Sequence, residues 1–144
     1  MKYKTIWTKK EDIERKWYVV DVKDQILGRA ATKIASLLIG KEKVESVPNY
    51  DCGDYVIVIN ADDIKLTREK ESKKMYYSHS GFPGGLKSIR FDDQLKLDST
   101  KIIKDAVITM LPQNKHRALR MVRLFVYKGA DHKQSGQKPI EIKF

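Results

Sequence analysis

The spacing of apolar side chains divides this chain into a first half with strongly patterned elements and a wetter second half. Trp17-Tyr18-Val19-Val20-Asp21-Val22 is rich in aromatic and β-branched residues with little alternation, which predicts a strand buried on both faces. Leu27, Ala31, Ile34, Ala35 and Leu38 then recur at helical spacing, with Arg29, Lys33 and Ser36 on the opposite side. That is an amphipathic helix, and Gly40 stands where its C-terminus needs a left-handed residue. Tyr55-Val56-Ile57-Val58-Ile59 is a second continuous apolar strand. Strand, helix and strand in this order make a βαβ unit with parallel strands and a right-handed crossover.

The pattern weakens after that unit. Lys73 to His79 reads as an exposed basic strand, Ser80-Gly81-Phe82-Pro83-Gly84-Gly85 as a loop, and Lys87 to Phe91 as a further short strand. Ser99 or Thr100 is placed to cap a helix that buries Ile103, Ala106, Val107 and Met110, and Pro112 ends it. From about Lys115 to Leu124 a second amphipathic segment sets His116, Arg117, Arg120 and Arg123 against Ala118, Met121 and Val122. Val126-Tyr127 is the last strand expected. Beyond Gly129 no periodicity remains. The organisation read from this is one α/β domain over residues 1–128, followed by a basic, partly extended tail over residues 129–144.

At 144 residues the chain holds one real core and not comfortably two. Charged residues reach 33% against the usual quarter, so the surface is unusually wet. No apolar run is long enough to span a membrane, and the basic N-terminus lacks the apolar region of a signal peptide. With a single cysteine, Cys52, these features point to a reducing, cytoplasmic setting. Location sharpens the net charge of +10. Residues 1–63 are neutral, 64–90 carry +5, 91–111 carry −1 and 112–144 carry +6. Two basic segments beside neutral ones suit a polyanion, although a solvated lysine-rich face explains the charge alone equally well.

A βαβ unit often holds a nucleotide, so a small nucleotide-dependent enzyme is the competing class. Its fingerprint is missing: Gly28 stands alone after the first strand. In the second glycine cluster Leu86 separates Gly85 from Lys87, and Pro83 removes an amide that a phosphate cradle would use. His79, His116 and His132 lie in separate segments without ligand spacing, so no metal or cofactor is expected. Cys52 reads as a small buried thiol. Asp51, Asp54, Asp62 and Asp63 read as turn and cap residues.

The RNA reading uses more of the residues. Lys73, Lys74, Tyr76, Tyr77, His79, Phe82, Lys87 and Arg90 interleave cations with rings around a glycine-rich loop. Cations neutralise phosphates, rings stack on splayed bases, and glycines let the backbone approach a sugar-phosphate chain. Arg117, Arg120 and Arg123 share one helix face without acidic partners three or four residues away, which leaves them free to meet phosphate. The candidate RNA contacts are Lys73, Lys74, Tyr77, His79, Ser80, Gly81, Gly84, Gly85, Lys87, Arg90, Lys115, Arg117, Arg120, Arg123, Lys128 and His132.

These segments also resemble a known family along nearly the whole chain. Glu14 to Asp21, Leu27 to Thr32, Gly53 to Ala61, Tyr77 to Lys87 and Met110 to Asn114 followed by Leu124 to Tyr127 are similar to stretches of the bacterial-type large-subunit ribosomal protein family L-thirteen. The resemblance implies a three-layer α/β/α domain on a small, mostly parallel sheet, with a basic C-terminal extension. It implies a structural, non-enzymatic constituent of the large ribosomal subunit that binds large-subunit rRNA and joins assembly early. Implied partners are that rRNA and neighbouring ribosomal proteins, with mRNA as a further RNA partner. One departure stands out: Arg117 and Ala118 occupy positions where the family usually carries Gly-Arg.

Overall fold

The computed structural model describes residues 8–142. Strand β1 (Trp17–Asp21), helix α1 (Leu27–Ile39) and strand β2 (Tyr55–Ile59) form the expected unit. The two strands run parallel with Trp17 opposite Tyr55 and Asp21 opposite Ile59. Helix α1 lacks a side-chain cap at Ile26. Its first amide instead donates to the Lys65 carbonyl at 2.9 Å, a backbone substitute for the missing cap. The helix stops at Gly40, which is left-handed at φ 81° and donates to Ser36 and Leu37.

After a short helix α2 (Lys70–Lys73), strands β3 (Met75–His79) and β4 (Leu86–Arg90) form a separate antiparallel hairpin. Helix α3 (Phe91–Met110) follows directly, then α4 (His116–Val122), β5 (Leu124–Val126) and β6 (Ile140–Ile142). The main sheet is parallel throughout, in the order β5-β2-β1-β6. No helix among the described residues is long and apolar enough to cross a membrane.

The core lies on one face of this sheet. Val20, Val22, Val56 and Val58 meet Ala30, Ala31, Ile34 and Leu38 of α1 and Phe91, Ile102, Ile103 and Val107 of α3. Ile34 is fully buried, so trimming it to alanine removes about 2–5 kcal/mol of stability. On the alternate strand positions Trp17 stacks on Tyr55 at 4.2 Å between ring centroids and on Phe125 at 5.7 Å.

Three local expectations change. Phe91 does not end a strand; it is buried and opens α3. Neither Ser99 nor Thr100 is the cap. Asp98 breaks the helix at φ −157°, and its Oδ1 accepts from the Thr100 amide at 3.1 Å and hydroxyl at 2.8 Å. Those bonds, led by the hydroxyl, hold the Asp98 carboxyl below its ordinary value. The segment beyond residue 128 also returns to the sheet, since Ile140–Ile142 pairs with Tyr18–Val20 of β1.

Candidate nucleic-acid interface

The β3–β4 hairpin has an inner and an outer side because its register alternates. Tyr76 lies opposite Ile89, both are half-buried, and Tyr76 packs against the core. Burial, and then the charge of Asp105, push the Tyr76 phenol up to about 12, so it stays neutral. Tyr77 opposite Ser88, and His79 opposite Leu86, belong to the other side. Tyr77 is 68% exposed there and Phe82, on the loop, 74%. Large rings this open contribute little to a core. Lys87 and Arg90 are exposed on β4, and Lys73 is exposed at the end of α2 just before the hairpin. Lys74, at its base, sits 5.1 Å from the Tyr76 ring centroid. Burial first, and then neighbouring Lys70, lower its pKa; an arriving phosphate would offset both.

The loop that joins the strands is held by its own backbone. The Ser80 amide donates to Gly85 at 3.1 Å and the Gly85 amide to Phe82 at 2.9 Å. The Gly81 amide donates to Nδ1 of His79 at 2.9 Å, which leaves the other ring nitrogen for an outside partner. Gly84 has φ +72°, and a Cβ there would meet only open space. A Cβ on Gly85 would fall 2.0 Å from the Ser80 hydroxyl. Gly85 is therefore required by close packing inside the loop.

The arginines of α4 do not sit where helical spacing put them. Arg120 and Arg123 are each only 4% exposed. Both bind Asp51, a residue about 70 positions earlier and invisible to any i±4 rule. Arg123 grips the carboxylate with two nitrogens, at 2.6 and 2.8 Å, and Arg120 adds a third contact at 3.3 Å. Arg123 also reaches the carbonyls of Leu38, at the end of α1, and of Asp54. Gly53 makes this approach possible, since a Cβ there would lie 1.8 Å from the Leu38 oxygen. Arg117 is half-buried and donates to the Ile108 carbonyl. The expectation of a free arginine face is thus overturned for Arg120 and Arg123: two guanidiniums without water need a carboxylate, and the fold supplies one.

The aspartates change role accordingly. Burial alone would raise the Asp51 carboxyl, but the hydrogen bonds and charge of Arg123, and then of Arg120, outweigh it and hold it below 3.8. Asp54, also buried, accepts from Lys43 at 2.6 Å and from the Lys16 amide at 2.8 Å. Neither is a turn or cap residue. Of the remaining candidates, Lys115 and Lys128 are exposed and His132 is half-buried, its ring 6.5 Å from that of Tyr127. The structure therefore groups the hairpin residues, and it leaves Lys115, Lys128 and His132 apart from them.

A family model described as Ribosomal protein L13 matches residues 15–133. The chain belongs to the ribosomal protein L13 family. Among similar proteins, the "Large ribosomal subunit protein uL13" of Stutzerimonas stutzeri (strain A1501) is 49% identical over 140 residues, 97% of this chain and 99% of that one. The proteins of the same name from Azotobacter vinelandii (strain DJ / ATCC BAA-1303) and Pseudomonas syringae pv. tomato (strain ATCC BAA-871 / DC3000) are 49% and 48% identical, over 97% and 98% of this chain and 99% of each relative.

Membership of the L13 family, which is structural and non-enzymatic, decides against the nucleotide-dependent enzyme. It also gives a setting to the departure at Arg117-Ala118. In this L13 chain the Asn114 side chain accepts from the His116 amide at 3.1 Å and its carbonyl from the Arg117 amide at 3.0 Å. The turn into α4 closes on Asn114, so no glycine is needed at position 117.

Proposed function

We propose that this chain is a structural constituent of the large ribosomal subunit, binds large-subunit rRNA through the outer side of the β3–β4 hairpin, and takes part in early subunit assembly. One observation carries the reading: the hairpin leaves Tyr77, His79 and Arg90 of its outer side in solvent, with Phe82 on the loop and Lys87 near the tip also exposed, while Tyr76 and Ile89 root it. Rings that stack on splayed bases and cations that displace counterions are the two means by which proteins hold irregular RNA. Family membership supports the reading, and the relatives' names place those proteins in the large ribosomal subunit. Ser80, Gly81, Gly84 and Gly85 bring backbone to the same RNA. Neighbouring ribosomal proteins share the assembled site, and single-stranded mRNA fits the same hairpin chemistry.

The test is sedimentation of an extract together with RNA binding by the purified protein. The protein should travel with large subunits and leave them only in concentrated salt. Affinity for an rRNA transcript should fall steeply with salt, and unstructured mRNA should compete less well. A protein that stays at the top of the gradient, or a salt slope near zero, removes the proposal.

A further inference from the structure

We propose that the cleft between residues 10–15, the Asn49–Asp51 loop and α4 is a second RNA site, distinct from the hairpin, in which Lys10, Arg15 and Lys115 take backbone phosphates. It rests on the RNA-binding reading and adds a surface of which the sequence nominated Lys115 but neither Lys10 nor Arg15. Residues 1–63 are neutral in sum, so no charge argument picked out Lys10 or Arg15. Folding brings both to the wall of a cleft of about 750 Å³ that Lys115 and His116 also line.

The electrostatics of this cleft are unbalanced. Asp51 is its single acidic lining residue among those described. That carboxylate is already engaged by Arg120 and Arg123, while Arg15 donates to the Asp51 carbonyl at 3.1 Å. Two buried guanidiniums on one carboxylate leave one positive charge in excess, and Nη1 of Arg120 is buried with no partner. No acidic partner is recorded for Lys10, Arg15 or Lys115 among the described residues. A polyanion balances such a wall, and a low-dielectric floor of fixed charge strengthens its hold. The cleft also has room for more than a phosphate. Exposed Leu119 and Val122 stand on α4 beside Tyr50, an apolar bank for the sugar and base of the same nucleotides.

The experiment measures binding of the whole protein to a full-length large-subunit rRNA transcript across a salt series. The double variant Lys10→Gln/Lys115→Gln removes two exposed charges that make no side-chain hydrogen bond or ion pair among the described residues, so its melting should match that of the parent. Each lost phosphate contact lowers the log–log salt slope by about 0.7–0.9, so the slope should fall by about 1.5. Lys87→Gln/Arg90→Gln on the hairpin should lower it separately, and the four changes together should add. An unchanged slope in the cleft variant, beside a reduced one in the hairpin variant, overturns this inference and leaves the RNA reading standing. An unchanged slope with lost incorporation into subunits also overturns it, and assigns the cleft to a protein neighbour. A parent protein without salt-dependent binding overturns both readings together.

Discussion

The hairpin and α4 are both basic, both close to glycine or arginine clusters, and opposite in what they do with their charge. In the hairpin Lys87, Arg90, Tyr77 and the loop's Phe82 stand in water, while Tyr76 packs against the core. At α4 and its C-cap two of three arginines, Arg120 and Arg123, bind Asp51 inside the protein. Basic residues in a nucleic-acid-binding chain are thus of two kinds, those that meet the ligand and those that hold the surface which meets it. Composition counts them together. Only the position of a carboxylate separates them.

The largest expected effect breaks the α4 side of this comparison. Asp51→Asn leaves two buried guanidiniums without a counter-charge and should cost about 3–5 kcal/mol of stability, read from urea unfolding. Changing Arg117, Arg120 and Arg123 together to Gln should lose cooperative unfolding, where a solvent-facing helix would keep it.

The same cluster predicts a pH dependence with a definite sign. The Asp51 carboxyl is depressed in the folded state, so its stabilisation is complete above its unfolded value of 3.8 and is lost as pH falls through the lower, folded value. Acid titration of the urea midpoint should show this loss in the parent and a flatter acid limb in Asp51→Asn. An identical acid limb in both would mean that other carboxylates dominate.

On the hairpin side the effects should move to affinity. Tyr77→Ala should weaken binding to an rRNA transcript by about 1–3 kcal/mol, the range for one stacked base, with an unchanged melting temperature. Gly84→Val/Gly85→Val places a β-branched residue at φ +72° and drives a side chain into Ser80. It should reduce incorporation into subunits far more than it reduces melting of the free protein, because the loop lies outside the core. The smallest effect sharpens the contrast. Glu69→Gln breaks an exposed pair with Lys73 at 3.5 Å and should leave stability unmeasurably changed.

What the sequence disclosed followed from the distance over which each signal acts. Strand β1, helix α1 and strand β2 were readable because each is written in its own periodicity. The hairpin loop was readable because glycine and proline act on their own turns. The pairing of Asp51 with Arg120 and Arg123 spans 69 to 72 residues, beyond any local rule, so these arginines read as free. The cleft was hidden for the same reason, since Lys10 and Arg15 lie in a segment whose charges cancel. Helix α3 was half seen: Asp98 interrupts it, and only the stretch after the break has a clear apolar face. Strand β6 was missed because Ile140-Glu141-Ile142 is too short to show a period.

That last strand has a consequence for how the molecule is made. Strand β1 is an inner strand of the finished sheet, yet one of its two edges waits for residues 140–142, the last strand among the described residues. During synthesis β1, α1 and β2 can close early, because their contacts are near in sequence. The other edge of β1 then presents unpaired amides and carbonyls until residues 140–142, about 120 positions later, have emerged. An open edge is a template for pairing with another chain, and such long-range closure is slow. A chain truncated before Ile140 therefore keeps one edge of β1 unpaired and open to pairing with another chain.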